Sequence, residues 1–105
     1  MASNSVLDKK KAHARKRFDE RYCIKLTEEL SRKLIQRIQT RDRATRLCTM
    51  SHRATVWSVF VESEYIKGAK DGIMVPMVYD KDRKILVTAL PQACNEIANI
   101  HPDMD

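Results

Sequence analysis

The sequence predicts an α+β domain in which two N-terminal helices pack on a three- to four-stranded antiparallel sheet, followed by a short C-terminal helix. Apolar residues recur with the helical period of about 3.6 up to Thr40, and with a period of about 2 from Thr45 onward. Turn-forming residues separate the later apolar runs, and helices that precede consecutive strands cover one sheet face. A chain of 105 residues holds one core, burying roughly 65% of the unfolded chain's surface. One domain, 1–105, is expected, with its core in 6–91 and loose ends at 1–5 and 101–105.

The first helix is expected from Val6 to Tyr22, a stretch without Gly or Pro in which Leu7, Ala14, Phe18 and Tyr22 share one stripe. His13, Arg17 and Arg21 follow at i, i+4 and i+8 and form a second stripe at the edge of the first. The second helix starts at an N-cap, Thr27, with Glu28 and Glu29 in the first turn where the helix dipole favours anions. Leu26, Leu30, Leu34 and Ile38 mark its core face, widened by Ile35, and it ends near Thr40. Arg41 to Arg46 then reads as a basic connector.

Thr55 to Val61 is rich in β-branched and aromatic residues, with Trp57, Val59 and Val61 on one face, and is a strand. Gly68 to Gly72 supplies turn chemistry before a strand from Ile73 to Asp80, and Asp80 to Arg83 separates that strand from Lys84 to Leu90. Arg46 to Ser51 adds a fourth strand. Pro76 cannot donate to a ladder, which places it at an edge or a bulge. A short helix is expected from Gln92 to Ile100. The sheet face away from the helices is left to solvent, to the acidic tail or to a ligand.

Apolar residues at 43% and charged residues at 32% describe a globular chain. No run of about 18 uncharged apolar residues is present, so no membrane span is expected. Met1 to Leu7 lacks the apolar stretch of a signal peptide, which predicts a cytoplasmic protein. Cys23, Cys48 and Cys94 are odd in number and lack C-x-x-C spacing. They are expected as reduced thiols, mostly packed as small hydrophobes. The net charge of +6 is segregated: residues 1–53 hold 15 Lys/Arg against 6 Asp/Glu, and residues 54–105 hold 5 against 8. A basic half of this kind attracts polyanions, although a solvated helical face has the same composition.

An imidazole titrates near neutral pH and can serve as a general acid or base, and arginines one and two turns further on can clamp a phosphate. His13, Arg17 and Arg21 therefore form a candidate site, although a basic helix with one boundary histidine has the same spacing. Thr88, on the last strand, could orient a phosphoryl oxygen or be an ordinary strand residue. Cys48 and His52 do not make a zinc site, because the segment between them is extended and no paired ligands follow. Trp57, Tyr65 and Tyr79 are candidates for base stacking or for the core. With two glycines in the chain, phosphate-cradling Gly-rich loops are excluded. No cofactor and no metal are expected.

Two stretches together carry a resemblance. His13-Ala14-Arg15-Lys16-Arg17-Phe18-Asp19-Glu20-Arg21-Tyr22-Cys23-Ile24 resembles the helix of small ribonuclease-fold domains in the broad superfamily of barnase, colicin-type tRNases and RelE-like toxins. Gly72 to Asp80 followed by Lys84 to Pro91 resembles their paired final strands. The resemblance spans residues 12–91 and implies a helix pair on a four-stranded antiparallel sheet, with RNA across the face that the helices leave open. It implies that His13 is the catalytic histidine, Arg17 and Arg21 the phosphate clamps and Thr88 the terminal-strand hydroxyl. The chain departs from the pattern in its basic connector, in the added length at Glu62 to Lys67 and in its acidic tail.

On this basis the sequence predicts a metal-independent endoribonuclease, toxin-like or phage-effector-like, that cleaves RNA by attack of the 2′-hydroxyl on the adjacent phosphorus. Lys10, Lys11, Arg41, Arg43, Arg46, His52 and Arg53 are expected to hold the RNA, with His52, on the basic connector, in reserve for the second proton transfer. An antidote or host protein is a further expected partner. The alternative is a non-catalytic basic protein on the same scaffold that engages nucleic acid or an acidic protein.

Overall fold

The computed structural model describes residues 2–93. Two helices, α1 (Ala2–Tyr22) and α2 (Glu28–Thr40), precede four strands, β1 (Ala44–Thr49), β2 (Ala54–Val61), β3 (Ile73–Asp80) and β4 (Ile85–Ala89). The strands form an antiparallel sheet in the order β1-β2-β3-β4. The expected α+β architecture is present, with both helices ahead of the sheet. The expected helix over 92–100 lies almost entirely outside the described residues.

Helix α1 is helical from Ala2, four residues earlier than the expected start, in keeping with a leader that contains no Gly or Pro. It ends where Cys23 enters the left-handed region (φ 56) and donates its N–H to the Asp19 carbonyl at 2.9 Å. Cys23 is exposed while Cys48 is buried, so only the latter packs as a hydrophobe; Cys94 lies outside the described residues. Helix α2 begins as its sequence indicates: the Thr27 hydroxyl accepts the Leu30 N–H at 3.1 Å. It stops at Arg41, also left-handed (φ 55), which places the basic connector in three residues, with Ala44 already in β1.

Ala14, Phe18 and Tyr22 of α1 and Leu30, Leu34 and Ile38 of α2 close over Trp57, Val59, Val61, Val75, Met77, Tyr79, Leu86 and Ala89. Helix α1 packs chiefly on β4, and α2 lies over the centre of the sheet. Fully burying a side chain such as Phe18 or Leu34 contributes roughly 1.5–3 kcal/mol. The far face of the sheet carries a second apolar cluster, Leu47, Cys48, Val56 and Val78, to which neither helix contributes. This face is not solvated, since Val56 is 1% exposed and Val78 4%.

Pro76 lies inside β3, an interior strand, opposite Ser58 of β2, and not at an edge or a bulge. Facing residues of an antiparallel pair alternate between pairs that exchange both N–H···O bonds and pairs that exchange none, and Pro76 and Leu90 form a pair of the first kind. Here the Leu90 N–H donates to the Pro76 carbonyl at 2.8 Å, and proline has no N–H to return. The Tyr22 hydroxyl donates to the Leu90 carbonyl instead. A side chain at the end of α1 thus replaces the donor that proline removes.

The β3–β4 turn is organised by Asp80, whose carboxylate accepts the backbone N–H groups of Asp82 and Arg83 at 3.0 Å and the Arg83 guanidinium at 3.0 Å. Burial alone would raise its pKa, but these bonds outweigh burial and hold it below the ordinary value. Between β2 and β3, Gly72 is required by close approach. A Cβ there would meet the Phe60 ring at 2.3 Å and the Val61 carbonyl at 2.7 Å.

A partly buried ion pair fastens α2 to the end of β2. Arg37 donates to both Glu62 carboxylate oxygens at 2.8 and 2.6 Å and to the Phe60 carbonyl at 2.6 Å. The Arg37 hydrogen bonds outweigh burial and bring the Glu62 pKa down to about 2.

Candidate functional site

The His13, Arg17 and Arg21 ridge expected from the spacing exists as a row on α1. Each residue immediately precedes one of the buried Ala14, Phe18 and Tyr22; His13 and Arg21 are exposed and Arg17 is half-buried. Arg17 pairs with Glu20 at 3.4 Å. Arg15 follows Ala14 by one residue, so it occupies the opposite flank, where it reaches Glu28 of α2 at 3.5 Å. The ridge therefore faces away from α2.

Thr88 lies opposite Val78 in the β3–β4 register, whereas its neighbour Ala89 lies opposite Met77. Val78 belongs to the far-face cluster and Met77 to the helix-side core. Thr88 thus points away from α1, and its hydroxyl donates to the Ala89 carbonyl at 3.3 Å. Strand β4 separates the imidazole from the hydroxyl, and the three clefts described below contain none of His13, Arg17, Arg21 and Thr88. The far face, across which the resemblance implies that RNA lies, presents no cation from any strand position that points to it. Its residues include Thr45, Val56, Ser58, Pro76, Val78 and the carboxylate of Asp80.

The residues expected to hold RNA fall into two groups. Lys10 and Lys11 are on α1, over the β4 edge, and the rest lie at the β1 side of the sheet. The Arg41 guanidinium sits 6.0 Å from the Trp57 ring centre and, with Arg46, lines a cleft of about 240 Å³. Arg43 reaches Glu62 at 3.8 Å, and Arg46 also has interactions. His52 is not on the connector; it is exposed with Arg53 at the tip of the β1–β2 hairpin, where Arg53 pairs with Asp82 at 3.7 Å.

The strongest concentration of positive charge in a concave surface lies elsewhere. A cleft of about 100 Å³ opens between α1, α2 and the residue before β4, with Lys11, Arg15, Arg32 and Lys84 around it and Glu28 as its only acid. Its floor is apolar, formed by Ala14, Leu26, Ile35 and Leu86. A wider groove of about 630 Å³ shares Arg15 and Leu26 with it and adds Lys25 and Lys67 against Asp19. The two adjoin at Arg15 and Leu26, and their linings together hold six cations and two carboxylates. Of these cations, Lys11 is in the set expected to hold RNA. Arg32, Lys67 and Lys84 were not legible, because their convergence depends on segments distant in sequence.

The aromatic residues are used in packing. Trp57 and Tyr79 are core residues, the Trp57 indole donates to Thr55 at 2.8 Å, and Lys33 donates to the half-buried Tyr65 hydroxyl at 2.7 Å. Among the described residues no group of three or more His, Cys, Asp or Glu is arranged to hold a metal ion, and no helix is long and apolar enough to cross a membrane.

No family model matches this chain, and comparison with curated proteins and with solved structures gives no significant match. The reading of function therefore rests on the geometry above.

Proposed function

We propose that this protein is a cytoplasmic nucleic-acid-binding module that holds RNA by its phosphates along the helical layer, without cutting it. The observation that carries this reading is a pair of adjoining clefts beside α1, sharing Arg15 and Leu26, whose linings together hold six cations and two carboxylates. Among the described residues, Lys9, Lys10, Lys16 and Arg21 on α1 add positive charge and form no ion pair. Cations in a groove with apolar walls focus the field and contact the phosphate backbone, which supplies most sequence-independent affinity. Cleavage of the kind catalysed by barnase-like enzymes needs proton-transfer groups converging on one phosphate. The candidate acid–base groups are His13 on α1 and His52 at the tip of the β1–β2 hairpin, the orienting hydroxyl of Thr88 points away from α1, and none of the three lines a described cleft, which favours binding over catalysis.

Fluorescence anisotropy with a labelled single-stranded RNA tests the reading. Affinity should fall linearly on a log-log plot against salt, with a slope of about −0.7 for each phosphate neutralised. A flat response, or no binding at about 50 mM salt, overturns it. RNA recovered after prolonged incubation should be intact on a gel; cutting that disappears in His13→Ala would return the ribonuclease reading.

A further inference from the structure

We infer that the small cleft ringed by Lys11, Arg15, Arg32 and Lys84 is a subsite for one phosphate of the bound strand, and that Glu28 occupies it internally until the phosphate arrives. The inference rests on the nucleic-acid reading above and assigns a specific place and a competitor within it.

The four cations come from three separate parts of the chain: α1, α2 and the turn before β4. Lys84 is left-handed (φ 57) at the end of a turn that Asp80 pins through two backbone N–H groups, so its main chain is fixed at the mouth of the cleft. Like charges held close together repel unless an anion lies among them. The resident anion is inadequate: both Lys11 at 3.4 Å and Arg15 at 3.5 Å approach the same oxygen of Glu28, and all three side chains are about half exposed. Exposed pairs at such lengths contribute little and exchange readily. Arg32 and Lys84 form no ion pair among the described residues.

Four cations and one carboxylate leave the cleft with a formal charge of +3. A phosphate oxygen can draw charge-assisted bonds from the Lys and Arg donors that line the cleft, of which Lys11 and Arg15 reach Glu28 only at 3.4 and 3.5 Å. At about 100 Å³ the cleft is far below the roughly 300 Å³ at which drug-sized ligand pockets begin. It suits a single phosphate-sized group, with the base and sugar left in the wider groove that shares Arg15.

Two arms test the inference, both on the full chain. In the first, the RNA anisotropy assay compares Arg32→Gln/Lys84→Gln with Lys70→Gln/Lys81→Gln, which removes the same charge at exposed sites outside the cleft. The cleft variant should bind at least about tenfold more weakly than wild type and lower the magnitude of the salt slope by about 0.7, the value of one phosphate contact on a single strand. The control should change affinity by less than about threefold. Glu28→Gln should bind more tightly than wild type, an effect opposite to that of damaged folding.

In the second arm, inorganic phosphate is titrated against chloride at matched ionic strength and followed by backbone NMR shifts. Shifts should centre on residues 11–15, 28–32 and 84–86, vanish in the cleft variant and saturate at lower phosphate in Glu28→Gln. If wild type binds RNA but the two double variants behave alike, the subsite is refuted and the general reading stands. If RNA does not bind but phosphate does so at the cleft, the general reading fails and the anion site survives. Absence of phosphate shifts at the cleft, or no gain from Glu28→Gln in either arm, refutes the inference.

Discussion

Neutralising Glu62 should remove a stabilising ion pair whose contribution depends on acid in a defined way. Arg37 holds Glu62 through two hydrogen bonds of 2.8 and 2.6 Å, and the carboxyl titrates at about 2 in place of its ordinary 4.5. At about 1.4 kcal/mol for each pH unit, this difference is worth roughly 3 kcal/mol, reduced to about 2 kcal/mol for a carboxylate about a quarter exposed to solvent. The folded value lies below the unfolded one, so the contribution is complete above pH 4.5 and disappears as the pH falls toward 2. Denaturant unfolding of wild type and Glu62→Gln across this range should show wild type more stable by about 2 kcal/mol near pH 6, with the gap closing in acid. Arg37→Met should lose the same acid-dependent component, on top of a larger constant loss from the missing bond to the Phe60 carbonyl. A gap between wild type and Glu62→Gln that stays constant from pH 6 to pH 3 would refute this reasoning.

Two further stability changes follow from the backbone. Tyr22→Phe leaves the Leu90 carbonyl without its hydroxyl donor and should cost about 1–3 kcal/mol in urea unfolding; in a Pro76→Ala background, where a backbone N–H is available again, the same substitution should cost clearly less, and equal costs would contradict the exchange of donors. Cys23→Gly relieves a left-handed side chain at an exposed helix end and should raise stability by about 0.5–1 kcal/mol, seen as an upward shift in the thermal midpoint; a downward shift would show that the conformation carries no strain.

The secondary structure was legible because each element is locally consistent. The Leu30, Leu34 and Ile38 stripe with Thr27 as its cap defines α2, a β-branched and aromatic run marks β2, and an apolar run between turn segments marks β3. Where the reading failed, the reason lies far away in sequence. Pro76 reads as an edge residue because its compensation comes from Tyr22, whose hydroxyl meets Leu90 across 68 positions. Arg37 reads as an ordinary helix cation, although its place three residues after Leu34 turns it toward the sheet, and only the fold brings Glu62 to meet it. The basic groove was half legible. Helix spacing gives Lys11 and Arg15, but Lys84 joins them only because α1 lies along β4, and the face of Thr88 depends on a register irregularity between Val78 and Tyr79.

The packing of the first helix on the last strand also constrains how the chain is made. Ala14, Phe18 and Tyr22 leave the ribosome well before the strand that shelters them, residues 85–89. Until then a greasy ridge flanked by lysines and arginines has no permanent cover, and the sheet's final edge has no helix beside it. Closure of the domain must wait until β4 has emerged, a topology that favours slow, all-or-none closure over stepwise growth from the amino end.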